Sequence, residues 1–62
     1  MSKYFYYSGW SASLAFAKEL GWKKEPEFDD NYLDSGGCLD QGKALNDMHD
    51  FIESNGWEVH YE

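Results

Sequence analysis

The stretch Asp40-Gln41-Gly42-Lys43-Ala44-Leu45-Asn46-Asp47-Met48-His49-Asp50-Phe51-Ile52-Glu53-Ser54-Asn55-Gly56, followed by Trp57-Glu58-Val59-His60-Tyr61-Glu62, decides the fold. At about 100° per residue, Ala44, Leu45, Met48, Phe51 and Ile52 fall within one arc of about 120°. Lys43, Asn46, Asp47, Asp50 and Glu53 fall within a second arc, on the other side. The pattern predicts an amphipathic helix near 39–55 with one core face and one mainly acidic face. Asn55-Gly56 ends it. Trp57, Val59 and Tyr61 then alternate with Glu58, His60 and Glu62, the period of a half-buried strand near 57–61.

Working back toward the start, Lys3-Tyr4-Phe5-Tyr6-Tyr7 is aromatic, bounded by Ser8-Gly9, and reads as a strand near 3–7. Trp10 to Leu20 is rich in Ala and Leu, and Trp10, Leu14, Phe16, Ala17 and Leu20 share one broad arc. This predicts a helix near 10–20, capped by Ser8 or Ser11 and closed by Gly21 in a left-handed conformation. Pro26 keeps residues 22–33 out of a helix interior, leaving a short strand or an ordered loop, and Asp34-Ser35-Gly36-Gly37 is a turn. The expected fold is one α+β domain over residues 1–62. It has a small antiparallel sheet, strands 3–7 and 57–61, with both helices packed on one face. Phe51, Met48, Leu45, Ile52, Leu14, Phe16 and Leu20 are its expected core. Gly-Trp recurs at 21–22 and 56–57; a glycine cap followed by a tryptophan contact accounts for it, with an ancestral duplication as the alternative.

Sixty-two residues bury only about 60% of the surface of the unfolded chain, so the core must be dense. Aromatics make up 19% of the residues and can supply that density, each ring burying roughly 150–250 Å². Cys38 is the only cysteine, so no disulfide can form within the chain. Nothing approaches an 18-residue apolar run, and the first aromatic segment is too short for a signal-peptide core. A cytoplasmic protein is expected.

The charge is sorted along the chain. Residues 1–24 hold Lys3, Lys18, Lys23 and Lys24 against Glu19 alone, a net of +3, whereas 25–62 hold eleven acids against Lys43, a net of −10. The overall −7, with no arginine, opposes nucleic acid and anionic membranes and attracts basic surfaces. Glu25, Glu27, Asp29, Asp30 and Asp34 cluster before the second helix. Asp47, Asp50 and Glu53 step along it at about 4.5 Å per three residues. Duplex DNA carries a charge every ~3.4 Å along each strand, so these acids can form a sparse phosphate track. A merely solvated helix face is the competing account of the last three.

Other chemistry is poorly served. His49 and Glu53 stand one helical turn apart, but no second His or Cys pair completes a metal site. Asp30 to Gln41 misses the calcium-loop spacing, with Tyr32 at the third place and Ser35 at the sixth. Cys38 with His49 or His60 is the only conceivable nucleophile pair, and a small buried cysteine is the expectation at position 38. No catalytic residue, cofactor or metal is therefore expected.

From Lys3-Tyr4-Phe5-Tyr6-Tyr7-Ser8-Gly9-Trp10 through the acidic 25–62 half, the whole-chain pattern resembles the small acidic phage-borne anti-CRISPR proteins. The likeness is to those acting on type I-C surveillance complexes. The resemblance implies electrostatic and steric occupation of the DNA-binding surface of a CRISPR effector in a bacterial host cell, and no catalysis. The expected function is inhibition of a nucleic-acid-binding protein by an acidic DNA-mimicking surface made of the eight acids from Glu25 to Glu53 named above. The expected partner is a basic protein surface, bound by a monomer. Two rivals remain: an adaptor docking through exposed aromatics such as Trp10, Trp22 or Tyr32, and an enzyme or metal protein using Cys38 and His49.

Overall fold

A computed structural model describes residues 3–62. Strand β1 (Lys3–Tyr7) leads into helix α1 (Trp10–Glu19). Two short 3₁₀ turns, Pro26–Phe28 and Asp30–Tyr32, precede helix α2 (Gln41–Ser54), and strand β2 (Trp57–Tyr61) follows it. Residues 22–33 are thus an ordered loop. A single antiparallel bridge, Leu33 to Leu39, closes the turn after it.

The two strands pair in parallel, with Lys3 beside Trp57 and Tyr7 beside Tyr61, which corrects the antiparallel expectation. A strand's alternation carries no direction; the connection does. Parallel strands need a crossover of a dozen residues or more. Here the entire α1–loop–α2 stretch is that crossover. It brings the chain back to the end of the sheet where β1 starts.

Both helices lie on the sheet face that bears Phe5 and Trp57. Phe5 stacks on Phe16 of α1 at 4.2 Å, Phe16 meets Trp57 edge-on at 4.9 Å, and Tyr7 lies against His49 of α2 at 4.4 Å. Ala17, Trp22, Tyr32, Ala44, Met48 and Ile52 form the buried centre. Of the seven expected core residues, Met48 and Ile52 are fully buried. Leu14, Phe16, Leu20, Leu45 and Phe51 are half-buried and pack around them. The Cα trace is only 14 Å thick along its shortest axis, so few side chains can be covered on every side.

The helix ends follow local chemistry. Asp40 caps α2 by accepting from the Lys43 amide at 3.1 Å. Neither Ser8 nor Ser11 caps α1; Gly9 holds that position with no side-chain bond. Gly21 closes α1 at φ +108°. Its amide donates to the Lys18 carbonyl and the Trp22 amide to that of Ala17, the paired bonds of a Schellman motif. Gly56 repeats the positive φ at the end of α2, and Trp22 and Trp57 both pack into or against the core, the glycine cap and tryptophan contact expected of the two Gly-Trp pairs.

Candidate partner-binding surface

The eight acids sit in two places, and many already have structural work. In the loop, buried Pro26 and buried Tyr32 peg the two 3₁₀ turns to the body. Glu25 takes both carboxylate oxygens to Lys18 Nζ, at 2.9 and 3.1 Å, an exposed pair of the kind worth at most about 1 kcal/mol. Asp29 accepts from the backbone and side-chain nitrogens of Asn31, which fixes the second turn. Asp34 accepts from the amides of Gly36 and Cys38 and shapes the glycine turn. Glu27 and Asp30 are exposed, with no side-chain hydrogen bond or ion pair among the described residues.

On α2, the three acids are not equivalent. Asp50 and Glu53 are exposed and hold no side-chain bond among the described residues. Asp47 is half-buried and accepts from the Tyr32 hydroxyl at 2.6 Å. Lys24 Nζ donates to the same hydroxyl at 3.1 Å and lies 5.4 Å from the ring centroid. Burial, then the bond to Asp47, hold the Tyr32 phenol above its usual pKa; donating to Tyr32 raises that of Lys24. Asp47 is thus a structural acceptor first, although its carboxylate still adds to the acidic field.

The aromatics proposed for docking are the wrong ones. Tyr32 is 0% exposed, Trp22 is buried and Trp10 is half-buried against the core. The exposed rings are Tyr4, Tyr6, Phe28 and Tyr61. Periodicity could not single out Tyr4 and Tyr6, because every residue from Tyr4 to Tyr7 is aromatic; the signal lay in β2, whose polar positions Glu58 and His60 sit beside them.

Sequence reading also missed the link between the helices. Ser13 Oγ and His49 Nε2 are hydrogen-bonded at 3.0 Å, with Ser13 completely buried and Tyr7 over the imidazole. Burial lowers the His49 pKa; Glu53 and Asp50 pull it the other way. A serine with no exposed surface cannot meet a substrate, so the pair acts as a polar clamp between α1 and α2. Cys38 is exposed rather than buried, in the glycine turn whose ends Asp34 ties together. The described residues contain no group of three or more His, Cys, Asp or Glu able to hold a metal. No helix among them is long and apolar enough to cross a membrane.

Comparison with family models, curated proteins and solved structures finds no match to this chain.

Proposed function

We propose that this chain inhibits a nucleic-acid-binding protein by laying an acidic, phosphate-like surface on its DNA-binding groove, in the manner of the anti-CRISPR proteins it resembles. The observation that carries this reading is the set of exposed, uncommitted carboxylates: Glu27 and Asp30 on the loop, Asp50 and Glu53 on α2. They stand in the half of the chain that carries −10, and desolvating them costs no internal bond. Asp29, Asp34 and Asp47 add charge from fixed positions, and Glu25 adds its own once Lys18 lets go. The partner is a basic surface on a CRISPR surveillance complex of type I-C in the cytoplasm of a bacterial host. The inhibitor works as a monomer that itself binds no DNA.

The test is a mobility-shift competition between the chain and a target duplex for the purified type I-C surveillance complex. Wild-type chain should keep the duplex off and should not shift duplex by itself. The combined change Glu27→Gln, Asp30→Asn, Asp50→Asn, Glu53→Gln should weaken inhibition by at least about tenfold and flatten its salt dependence. Undiminished inhibition by that variant, with an unchanged circular dichroism spectrum, refutes the charge-led reading. The exposed Tyr4, Tyr6, Phe28 and Tyr61 favour a second reading, an adaptor docking through aromatics, whose binding would be nearly indifferent to salt.

A further inference from the structure

The sheet has two faces and the helices cover one. Alternation puts Tyr4 and Tyr6 of β1, with Glu58 and His60 of β2, on the other, and the register sets Tyr4 beside Glu58 and Tyr6 beside His60. Tyr4 is 51% exposed and Tyr6 59%. Their rings lie 6.4 Å apart at 29°, and His60 stands 5.5 Å from Tyr4 and 5.4 Å from Tyr6. Glu58 Oε1 is 3.6 Å from His60 Nε2. Three π-faces and a carboxylate therefore share one open surface. Parallel sheets are almost always covered on both faces, which makes this bare one an exception.

The chemistry of that surface selects its occupant. Ring faces are electronegative and attract cations; a guanidinium is planar, weakly hydrated and able to stack while its N–H edge reaches a carboxylate. An ammonium can approach the rings but cannot stack. The chain already places cations on rings, with Lys3 Nζ 5.3 Å from the Trp57 centroid and Lys24 over Tyr32, and it has no arginine of its own to fill the face. Nucleobases could stack there too, but their phosphates would meet Glu58, Glu62 and a net charge of −7. A second copy would bring the same −7 and no arginine.

We propose that the open face built from Tyr4, Tyr6, His60 and Glu58 binds arginine side chains of a basic protein partner. This deepens the inhibitor reading by naming the residue type gripped, yet it stands on the face's own geometry. The experiment titrates nona-arginine and, separately, nona-lysine into labelled protein at low salt and near-neutral pH, following amide and aromatic-ring NMR signals. Nona-arginine should move the ring signals of Tyr4, Tyr6 and His60 and bind at least about threefold tighter than nona-lysine. The double change Tyr4→Ala, Tyr6→Ala should weaken nona-arginine by about five- to tenfold, and Tyr4→Phe, Tyr6→Phe should restore it. Equal binding of the two peptides overturns the proposal, as does binding by neither. Shifts confined to the amides of Glu27, Asp30, Asp50 and Glu53, with the alanine variant unchanged, overturn the aromatic site while leaving the acidic reading standing. Ring shifts with a single-stranded oligonucleotide but not with nona-arginine would assign the face to bases instead.

Discussion

Tyr32→Phe removes one oxygen atom and leaves the ring in the core. That oxygen donates to Asp47 at 2.6 Å and accepts from Lys24, in a residue with no exposed surface. Lys24 is exposed and returns to water, so its share of the loss is small. Asp47 is half-buried and loses the Tyr32 donor, the side-chain hydrogen bond it accepts among the described residues. A hydrogen bond to a charged group is worth about 1.5–3 kcal/mol, and phenylalanine's easier burial returns a little of it. The expected loss is about 1.5–2.5 kcal/mol, a large fraction of the roughly 3–9 kcal/mol that a chain this long commands. At about 4–8 °C per kcal/mol for a domain of this size, the melting temperature should drop by about 6–20 °C. Urea and thermal melts followed by circular dichroism measure it. The Trp22 indole NMR signal serves as a local probe, the Trp22 and Tyr32 ring centroids being 6.3 Å apart. Asp47→Asn, paired with Tyr32→Phe in a double-mutant cycle, should give a coupling of about 1 kcal/mol or more. A Tyr32→Phe loss below about 0.5 kcal/mol would show that the loop is not anchored through this bond.

Acid should destabilise the fold through His49. Its pKa is lowered on folding, so the unfolded chain binds the proton more readily, and stability rises with pH between the folded value and the ordinary 6.5. The contribution is complete above about pH 6.5 and is lost as pH falls toward and below the folded value; urea midpoints across pH 7.5 to 5 should decline, and His49→Gln should flatten that decline. A decline equally steep in the variant would place the sensitivity elsewhere. Met48→Ala, at a fully buried position, should cost about 2–5 kcal/mol, and Leu45→Ala, half-buried one turn back, clearly less. Equal losses in denaturant melts would mean that the centre of the core has been misplaced.

Both helices and β2 were legible because each shows its period in side chains a few residues apart, and β1 because its aromatics favour a strand that Ser8-Gly9 bounds. The direction of β2 was not, since Trp57, Val59 and Tyr61 alternate identically whichever way the strand runs. The turn at Asp34–Gly37 was legible from its composition, whereas the path of the rest of residues 22–40 was opaque for a related reason. Their shape is made by side chains bonding to nearby backbone, Asp29 to Asn31 and Asp34 to Gly36 and Cys38, and no periodic pattern reports such bonds. The acidic surface was legible as composition and not as availability. Asp47 and Asp50 share one helical arc, and only a tyrosine fifteen positions upstream makes one of them structural. Exposed Tyr4 and buried Tyr32 are likewise the same letter in the sequence.

Pairing Lys3 with Trp57 joins positions 54 apart, so the sheet is a long-range contact in a short chain. Helices form locally and fast, whereas a pairing between remote segments waits on loop closure. While a ribosome makes this chain, α1 can begin to coil as soon as it emerges. The aromatic strand β1 stays without a partner until Trp57 to Tyr61 have cleared the exit tunnel. Lys3-Tyr4-Phe5-Tyr6-Tyr7 is then a nascent segment of high β-propensity and a single charge, the composition that seeks out other strands. The order of synthesis thus leaves its stickiest strand waiting longest.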